Sequence, residues 1–138
     1  MSGRDGERFR CGEAVVVPVH GEIDIATADD MRDRLLGEAA RTDCACMVVD
    51  LSRVEFFDAS GRRALMAAYQ RLTRDGRHMV LAEPAPAVSR VIDVLGLSGS
   101  FEVYPLVEMA LAHTRASARQ AGAPGAAEHR TGRFPGME

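Results

Sequence analysis

Lysine and tryptophan are absent from this chain of 138 residues, and all 17 basic residues are arginine. Without lysine there is no P-loop lysine, no Schiff-base nucleophile and no lysine general base. The chain also has no charged-then-apolar leader and no apolar run near the roughly 18 residues that a membrane span requires. We therefore expect a cytoplasmic protein that is neither exported nor anchored in a membrane.

Cysteine is scarce and basic clusters are missing. Three cysteines, Cys11, Cys44 and Cys46, make an odd count without an export signal, which argues against a disulfide framework. Because Cys44 and Cys46 have no CxxC motif and no histidine at zinc-ligand spacing, we expect packing residues, with no metal and no cofactor. The net charge of −3 and the lack of a basic block argue against direct binding of nucleic acid or of an acidic membrane.

The first half of the chain contains two apolar runs with a helical pattern between them. The β-branched run 15–19 predicts a strand, and residues 7–13 are compatible with a hairpin arm before it. Thr27 is a good N-cap for an amphipathic helix of about 14 residues. The apolar run 45–51, which contains the acid Asp50 near its end, predicts a strand buried on both faces.

The second half continues the alternation of helices and strands. An apolar stripe predicts a second helix that starts at Ser60 and stops near Asp75 and Gly76, where the glycine serves as C-cap. Further patterns predict a strand at 79–82, a helical stripe from Val88 to Leu95, a strand at 101–104, and a last helix with Pro105 at its first position.

This order predicts an α/β fold: one domain at residues 8–115 with a small mixed, largely parallel sheet of four to five strands and about four helices. Residues 116–138 are rich in alanine, glycine and arginine without an apolar stripe, so we expect a disordered C-terminal tail.

Ser60 is the most informative single residue. A hydroxyl in the first turn of a helix lies where unpaired backbone N–H groups and the helix dipole favour an added phosphate. The simpler interpretation is that Ser60 is only an N-cap, which contributes about 1 kcal/mol. The spacing of residues does not decide between these two roles.

Four segments in order and at suitable spacing resemble the STAS domain of bacterial anti-sigma factor antagonists. The resemblance covers roughly residues 8–114, and its segments are Gly21-Glu22-Ile23-Asp24-Ile25-Ala26-Thr27-Ala28, Val49-Asp50-Leu51-Ser52, Phe57-Asp58-Ala59-Ser60-Gly61 and Val94-Leu95-Gly96-Leu97.

The resemblance implies a protein that is a ligand and a substrate, not an enzyme. Its partner would be an anti-sigma factor that is itself a GHKL-type serine kinase, and its binding would release a sigma factor. The kinase would phosphorylate Ser60 and end the complex, and a PP2C-type phosphatase would restore binding. The residues expected at the partner-binding site are Asp24, Asp58, Gly61, Arg62 and Arg63.

Some of these roles have alternatives. Asp24 is equally well explained as a turn acid between strand and helix, and Gly61 by a special backbone conformation or by a close approach. Arg62 and Arg63 stand where the family commonly has a small apolar pair. They either pair with an acidic patch on a partner, hold a phosphate on Ser60, or form a solvated first turn.

Two other functions are weighed against the antagonist. A Ser-His-Asp hydrolase needs a GxSxG elbow and a positioned histidine, and the turn at Ser60 has neither, so no catalytic residue is predicted. The stronger alternative is a constitutive STAS binding module for a small ligand or a regulatory assembly, without a kinase cycle.

Overall fold

The computed structural model describes residues 14–121, with side chains described as far as Thr114. Strands and helices alternate throughout this part of the chain, and a short 3₁₀ turn, Leu97–Gly99, follows the third helix. The elements are β1 (Ala14–Ile23), α1 (Ala28–Ala40), β2 (Cys46–Phe57), α2 (Ala59–Arg74), β3 (His78–Ala82), α3 (Pro86–Val94), β4 (Val103–Tyr104) and α4 (Val107–Ala121).

The four described strands form one parallel sheet in the order β1-β2-β3-β4. Each strand therefore pairs with the strand that follows it in sequence, and the helix between them is the crossover that a parallel pair requires. The predicted α/β fold is confirmed, and within residues 14–121 the sheet has four strands that are all parallel.

The sheet is covered on both faces. Helices α1, α2 and α3 pack on one face over Val49 and Leu81, which are fully buried, and α4 packs on the other face over Val48 and Val80. Neighbouring residues of a strand point to opposite faces, so the continuous apolar run of β2 supplies both cores. The prediction of a strand buried on both faces is confirmed.

Strand β2 is longer than the sequence predicts. It continues through Asp50 to Phe57, because β1 pairs with it from Ala14 opposite Cys46 to Ile23 opposite Phe57, whereas β3 stops opposite Asp50. Asp50 therefore lies within the strand and not near its end, where the run 45–51 predicted it, and it marks only the end of the pairing with β3.

The last helix also differs from the prediction. It begins at Val107 and not at Pro105, and the Val107 N–H donates to the Glu83 side-chain oxygen Oε1 at 3.0 Å. At its other end α4 runs to Ala121, beyond the boundary expected at residue 115. Residues 122–138 of the predicted tail and the hairpin arm predicted at 7–13 lie outside the described residues.

The end of α2 agrees with the sequence. Gly76 follows the C-cap Asp75 with φ of +76°, and the Arg77 N–H donates to the Leu72 carbonyl at 2.8 Å. This left-handed residue turns the chain sharply from α2 into β3.

Arg77, just before β3, holds the end of α1 and the loop after it through its guanidinium group. It donates to the carbonyls of Ala39 at 2.8 Å, Cys44 at 3.0 Å and Thr42 at 3.1 Å, and so satisfies carbonyls at and beyond the C-terminus of α1. The sequence analysis missed this residue, since its partners are more than 30 positions away.

We expect Arg77→Lys to lower the free energy of unfolding by about 2 kcal/mol, because an ammonium group cannot reach three separate carbonyls as the planar guanidinium does. Urea unfolding followed by circular dichroism measures the change. Arg74→Lys, at an exposed position three residues earlier at the end of α2, is the control. Equal stability of the two variants would show that the Arg77 contacts do not stabilise the fold.

Candidate functional site

Ser60 lies in the first turn of α2, just after the carboxyl end of β2. Asp58, with extended backbone, is the N-cap, and its Oδ1 accepts a hydrogen bond from the Ser60 N–H at 2.8 Å. The helix begins at Ala59, so the prediction that it starts at Ser60 is wrong by one residue. Ser60 is therefore not the cap, and its half-buried hydroxyl makes no hydrogen bond to any described residue.

A shallow groove runs beside Ser60 between α1 and α2. Ile25, Asp29 and Arg32 line one side of it, and Ser60, Arg62 and Arg63 lie on the other. Arg32 is already paired, at 3.3 Å from Asp29 and 3.0 Å from Asp33. The hydrogen bond with Asp33 also raises the pKa of Arg32. The loop after β1 and the first turns of α2 thus form one surface.

Asp24 acts within its own loop. Its Oδ1 accepts from the Ala26 N–H at 2.9 Å and from the Thr27 N–H at 3.2 Å, as a turn acid does. Thr27 stands at the predicted N-cap position of α1, but its hydroxyl donates to the Glu22 carbonyl at 2.7 Å and makes no side-chain cap hydrogen bond. The large apolar residue that this loop exposes is Ile25, which is 80% exposed.

Gly61 is buried beneath this surface and does not form part of its exposed area. A Cβ atom at this position would lie 2.6 Å from Cε1 of Phe57 and 2.9 Å from Cγ2 of Ile23. Close approach of α2 to the ends of β1 and β2 therefore explains this glycine. Gly21, in contrast, has open space around it but adopts a left-handed backbone conformation with φ of +85°, which glycine allows.

Arg62 and Arg63 are both exposed, as expected, but they differ in their contacts. The Arg62 Nε donates to the Leu95 carbonyl at the end of α3, at 3.1 Å. Among the described side chains, Arg63 makes no ion pair and no hydrogen bond. Beside Leu95, the side chain of Val94 is 84% exposed.

These residues define what we call the Ser60 surface: a half-buried hydroxyl with two arginines beside it and two exposed apolar side chains at its margins. Its members are Ser60, Arg62, Arg63, Ile25 and Val94. The sequence analysis missed Ile25 and Val94 as surface residues, although both lie in segments that carry the resemblance. The signal in the sequence that could have identified them is that each is a single apolar residue beside a turn.

A second group of titratable side chains lies at the opposite edge of the sheet. Glu102 Oε1 accepts from the Tyr104 hydroxyl at 2.8 Å and lies 3.7 Å from His78 Nε2 and 3.4 Å from His113 Nε2. The interaction with His78 contributes most to lowering the pKa of Glu102 to about 2, ahead of the hydrogen bond from Tyr104. No set of three His, Cys, Asp or Glu side chains suited to a metal ion occurs among the described residues.

The low pKa of Glu102 predicts a stability loss in acid. Its carboxylate contributes stability above about pH 4.5, and this contribution disappears as the pH falls towards 2. Because the side chain is half exposed, we expect only about 1 kcal/mol. Urea unfolding at pH 6 and pH 2.5 should show a smaller pH effect for Glu102→Gln than for wild type or the control Glu108→Gln, and an equal effect would contradict this role.

The two described cysteines lie in the core, in agreement with their prediction as packing residues. Cys44 and Cys46 are buried, and burial raises the pKa of Cys46 to about 12, so its thiol stays protonated at neutral pH. No helix within residues 14–121 combines the length and the apolar character needed to cross a membrane.

Comparison with known proteins agrees with the fold. A family model described as STAS domain matches residues 10–110. The anti-sigma F factor antagonist of Paenibacillus polymyxa is 28% identical over 94 residues, which are 68% of this chain and 78% of that protein.

Three solved structures have the same fold. The crystal structure of an anti-sigma factor antagonist from Mycobacterium paratuberculosis is 34% identical, has a TM-score of 0.63, and is matched over 74% of this chain and 86% of that one. Unphosphorylated SpoIIAA, an anti-sigma factor antagonist, has a TM-score of 0.62 over 78% of this chain and 92% of its own, and the phosphorylated form of the Bacillus protein has 0.55. At 21% identity, the likeness to SpoIIAA is one of fold.

Proposed function

This chain belongs to the STAS domain family, and from this premise we propose that it is an anti-sigma factor antagonist controlled by phosphorylation of Ser60. The proposed antagonist binds an anti-sigma factor through the Ser60 surface and thereby releases a sigma factor. It works in the cytoplasm as a binding protein and as the substrate of a kinase, and it catalyses no reaction itself.

The observation that carries this proposal is that Asp58, and not Ser60, caps α2. Asp58 already caps α2 at 2.8 Å, so the Ser60 hydroxyl has no structural task in the described chain and is accessible from the groove. A phosphate there would lie near the N-terminus of α2, where negative charge is favourable. SpoIIAA, which shares the fold, has both an unphosphorylated and a phosphorylated form.

The Ser60 surface suits a protein partner. The side chains of Ile25 and Val94 are more than three-quarters exposed, and such apolar residues beside polar ones are typical of interaction sites. The Asp24 and Asp58 carboxylates hold backbone N–H groups, so their proposed contribution to partner binding is to shape this surface. Gly61 contributes from beneath it, by allowing α2 to approach.

The partner is proposed to be a GHKL-type serine kinase. It transfers the γ-phosphoryl group of ATP to Ser60 Oγ, which loses its proton, and ADP leaves. The added charge of about −1.5 to −2 then repels carboxylates of the partner, and the complex dissociates. A PP2C-type phosphatase restores the hydroxyl by hydrolysis.

A hydrolase mechanism at Ser60 has no support from the positions of the three described histidines. His78 and His113 contact Glu102 at the opposite edge of the sheet, and His20 lies on β1. Within the described chain, the carboxylate bonded to the Ser60 backbone is the Asp58 cap, which leaves no base for the hydroxyl.

Affinity capture from lysate of the source cell tests the proposal. The baits are the wild-type chain, Ser60→Ala and Ser60→Asp, with mass spectrometry of the captured proteins and of Ser60 itself. We expect wild type and Ser60→Ala to retain a GHKL-type kinase and Ser60→Asp to lose it. Capture of the same partners by all three, with Ser60 never modified, would instead indicate a constitutive binding module.

A further inference from the structure

Two adjacent arginines follow Ser60, and the structure gives them different surroundings. Arg62 is held by the Leu95 carbonyl at 3.1 Å, on the side of α2 that faces α3. Arg63 lines the groove together with Arg62 and Ser60, but it has no side-chain partner in the described chain. On a helix, residues three apart lie side by side, whereas residues two apart point in different directions.

A phosphate on Ser60 would be placed among carboxylates. Asp58 is bonded to the Ser60 backbone at 2.8 Å, and Asp29 lines the same groove. The nearby Arg32 is already shared between Asp29 and Asp33, so its charge is largely compensated. Three arginines line the groove: Arg32 is paired with carboxylates, Arg62 donates to the Leu95 carbonyl, and Arg63 alone of the three has no side-chain partner in the described chain.

We propose that Arg63 captures the phosphate of phosphorylated Ser60 as an ion pair within one helical turn. This inference rests on the proposed function, because it concerns the modified form of Ser60. It assigns the two arginines separate tasks: Arg62 joins α2 to α3, and Arg63 neutralises part of the new charge. Arginine suits this task because its planar donor group fits phosphate oxygens.

The capture has a consequence for the switch. Before phosphorylation, the Arg63 guanidinium is available to an acidic group of a partner. After phosphorylation, the same guanidinium faces the phosphate, so the partner loses a favourable contact. The pairing also leaves the surface with less negative charge than an unpaired phosphate would give it. The partner is therefore released for two reasons: it loses its contact with Arg63, and its carboxylates are repelled by the remaining charge of the phosphate.

The experiment uses the full chain with phosphoserine installed at position 60 during translation, which requires no kinase. A titration followed by ³¹P NMR measures the second pKa of the phosphate in the parent, Arg63→Gln and Arg62→Gln. A cation paired with the dianion lowers this pKa, so we expect Arg63→Gln to raise it by about 0.3 pH unit, the size of an exposed pair at this spacing. Arg62→Gln removes the same charge at the next position and is the matched control, expected to raise the pKa by less than half as much.

The outcomes separate this inference from the proposed function. A larger rise for Arg63→Gln supports the capture, and this holds whether or not a kinase is recovered from lysate. Equal rises for the two variants, or no rise for either, would overturn it, and the antagonist function would then still be decided by the capture of partners.

Discussion

Ser60→Asp should weaken binding of the recovered anti-sigma factor about 30-fold. One added negative charge about 6 Å from a partner carboxylate costs about 3 kcal/mol at an effective dielectric of 20, and screening by salt reduces this to about 2 kcal/mol. That energy corresponds to about 30-fold in the dissociation constant. A phosphate carries more charge, so the phosphorylated chain should bind at least about 100-fold more weakly than the unmodified one.

Isothermal titration calorimetry with the purified partner measures this effect. Ser52→Asp, which adds the same charge at an exposed position of β2, is the control and should bind like wild type. The melting temperature of Ser60→Asp should not fall, because Asp58 remains the cap and a carboxylate in the first turn of α2 favours the helix. Unchanged affinity of Ser60→Asp would exclude charge at Ser60 as the switch.

Gly61→Val should lower the free energy of unfolding by about 3 kcal/mol. A Cβ atom at this position would lie 2.6 Å from the ring of Phe57 and 2.9 Å from Ile23, and both side chains are buried. The helix must move away from β1 and β2 or the ring must leave its position, and such overpacking is costly in a dense core. Because Ser60 precedes this residue, a shift of α2 also displaces the Ser60 surface.

Urea unfolding of Gly61→Val measures the loss, with Gly37→Ala as the control. Gly37 lies within α1 and has open space around its position for a Cβ, so alanine there should stabilise the chain by about 0.5–1 kcal/mol. A fall in the free energy of unfolding for Gly61→Val and a rise for Gly37→Ala would show that Gly61 is required by the close approach of α2, since helix propensity disfavours glycine at both positions. A loss below about 1 kcal/mol for Gly61→Val would show that the site absorbs a larger residue without strain.

Much of the fold was readable from local patterns. The apolar run that became the centre of β2, the stripe of α2 and the glycine after Asp75 each lie where the sequence predicted them. The errors concern boundaries: β2 extends to Phe57 because β1 continues to pair with it, and α4 starts at Val107 where Glu83 offers an acceptor. Both depend on residues distant in sequence, which no local pattern contains.

The candidate site was predictable in position and less so in detail. The order of segments located Ser60 and both arginines, but the pattern could not show that Asp58, rather than Ser60, caps the helix. Nor could it distinguish a tethered Arg62 from an unpaired Arg63, since the tether is the carbonyl of Leu95 on another helix.

By itself, the sequence determined the alternation of strands and helices, the parallel sheet, the family and the place of Ser60 in a first turn, because hydrophobic periodicity and turn chemistry act over a few residues. Only the tertiary structure decided which of these residues share a surface. Ile25, Ser60, Arg63 and Val94 come from three separate segments, and they meet because β1, β2 and α3 end at the same edge of the fold. Packing over long sequence distances thus decided which hydroxyl is free and which cation is unpaired.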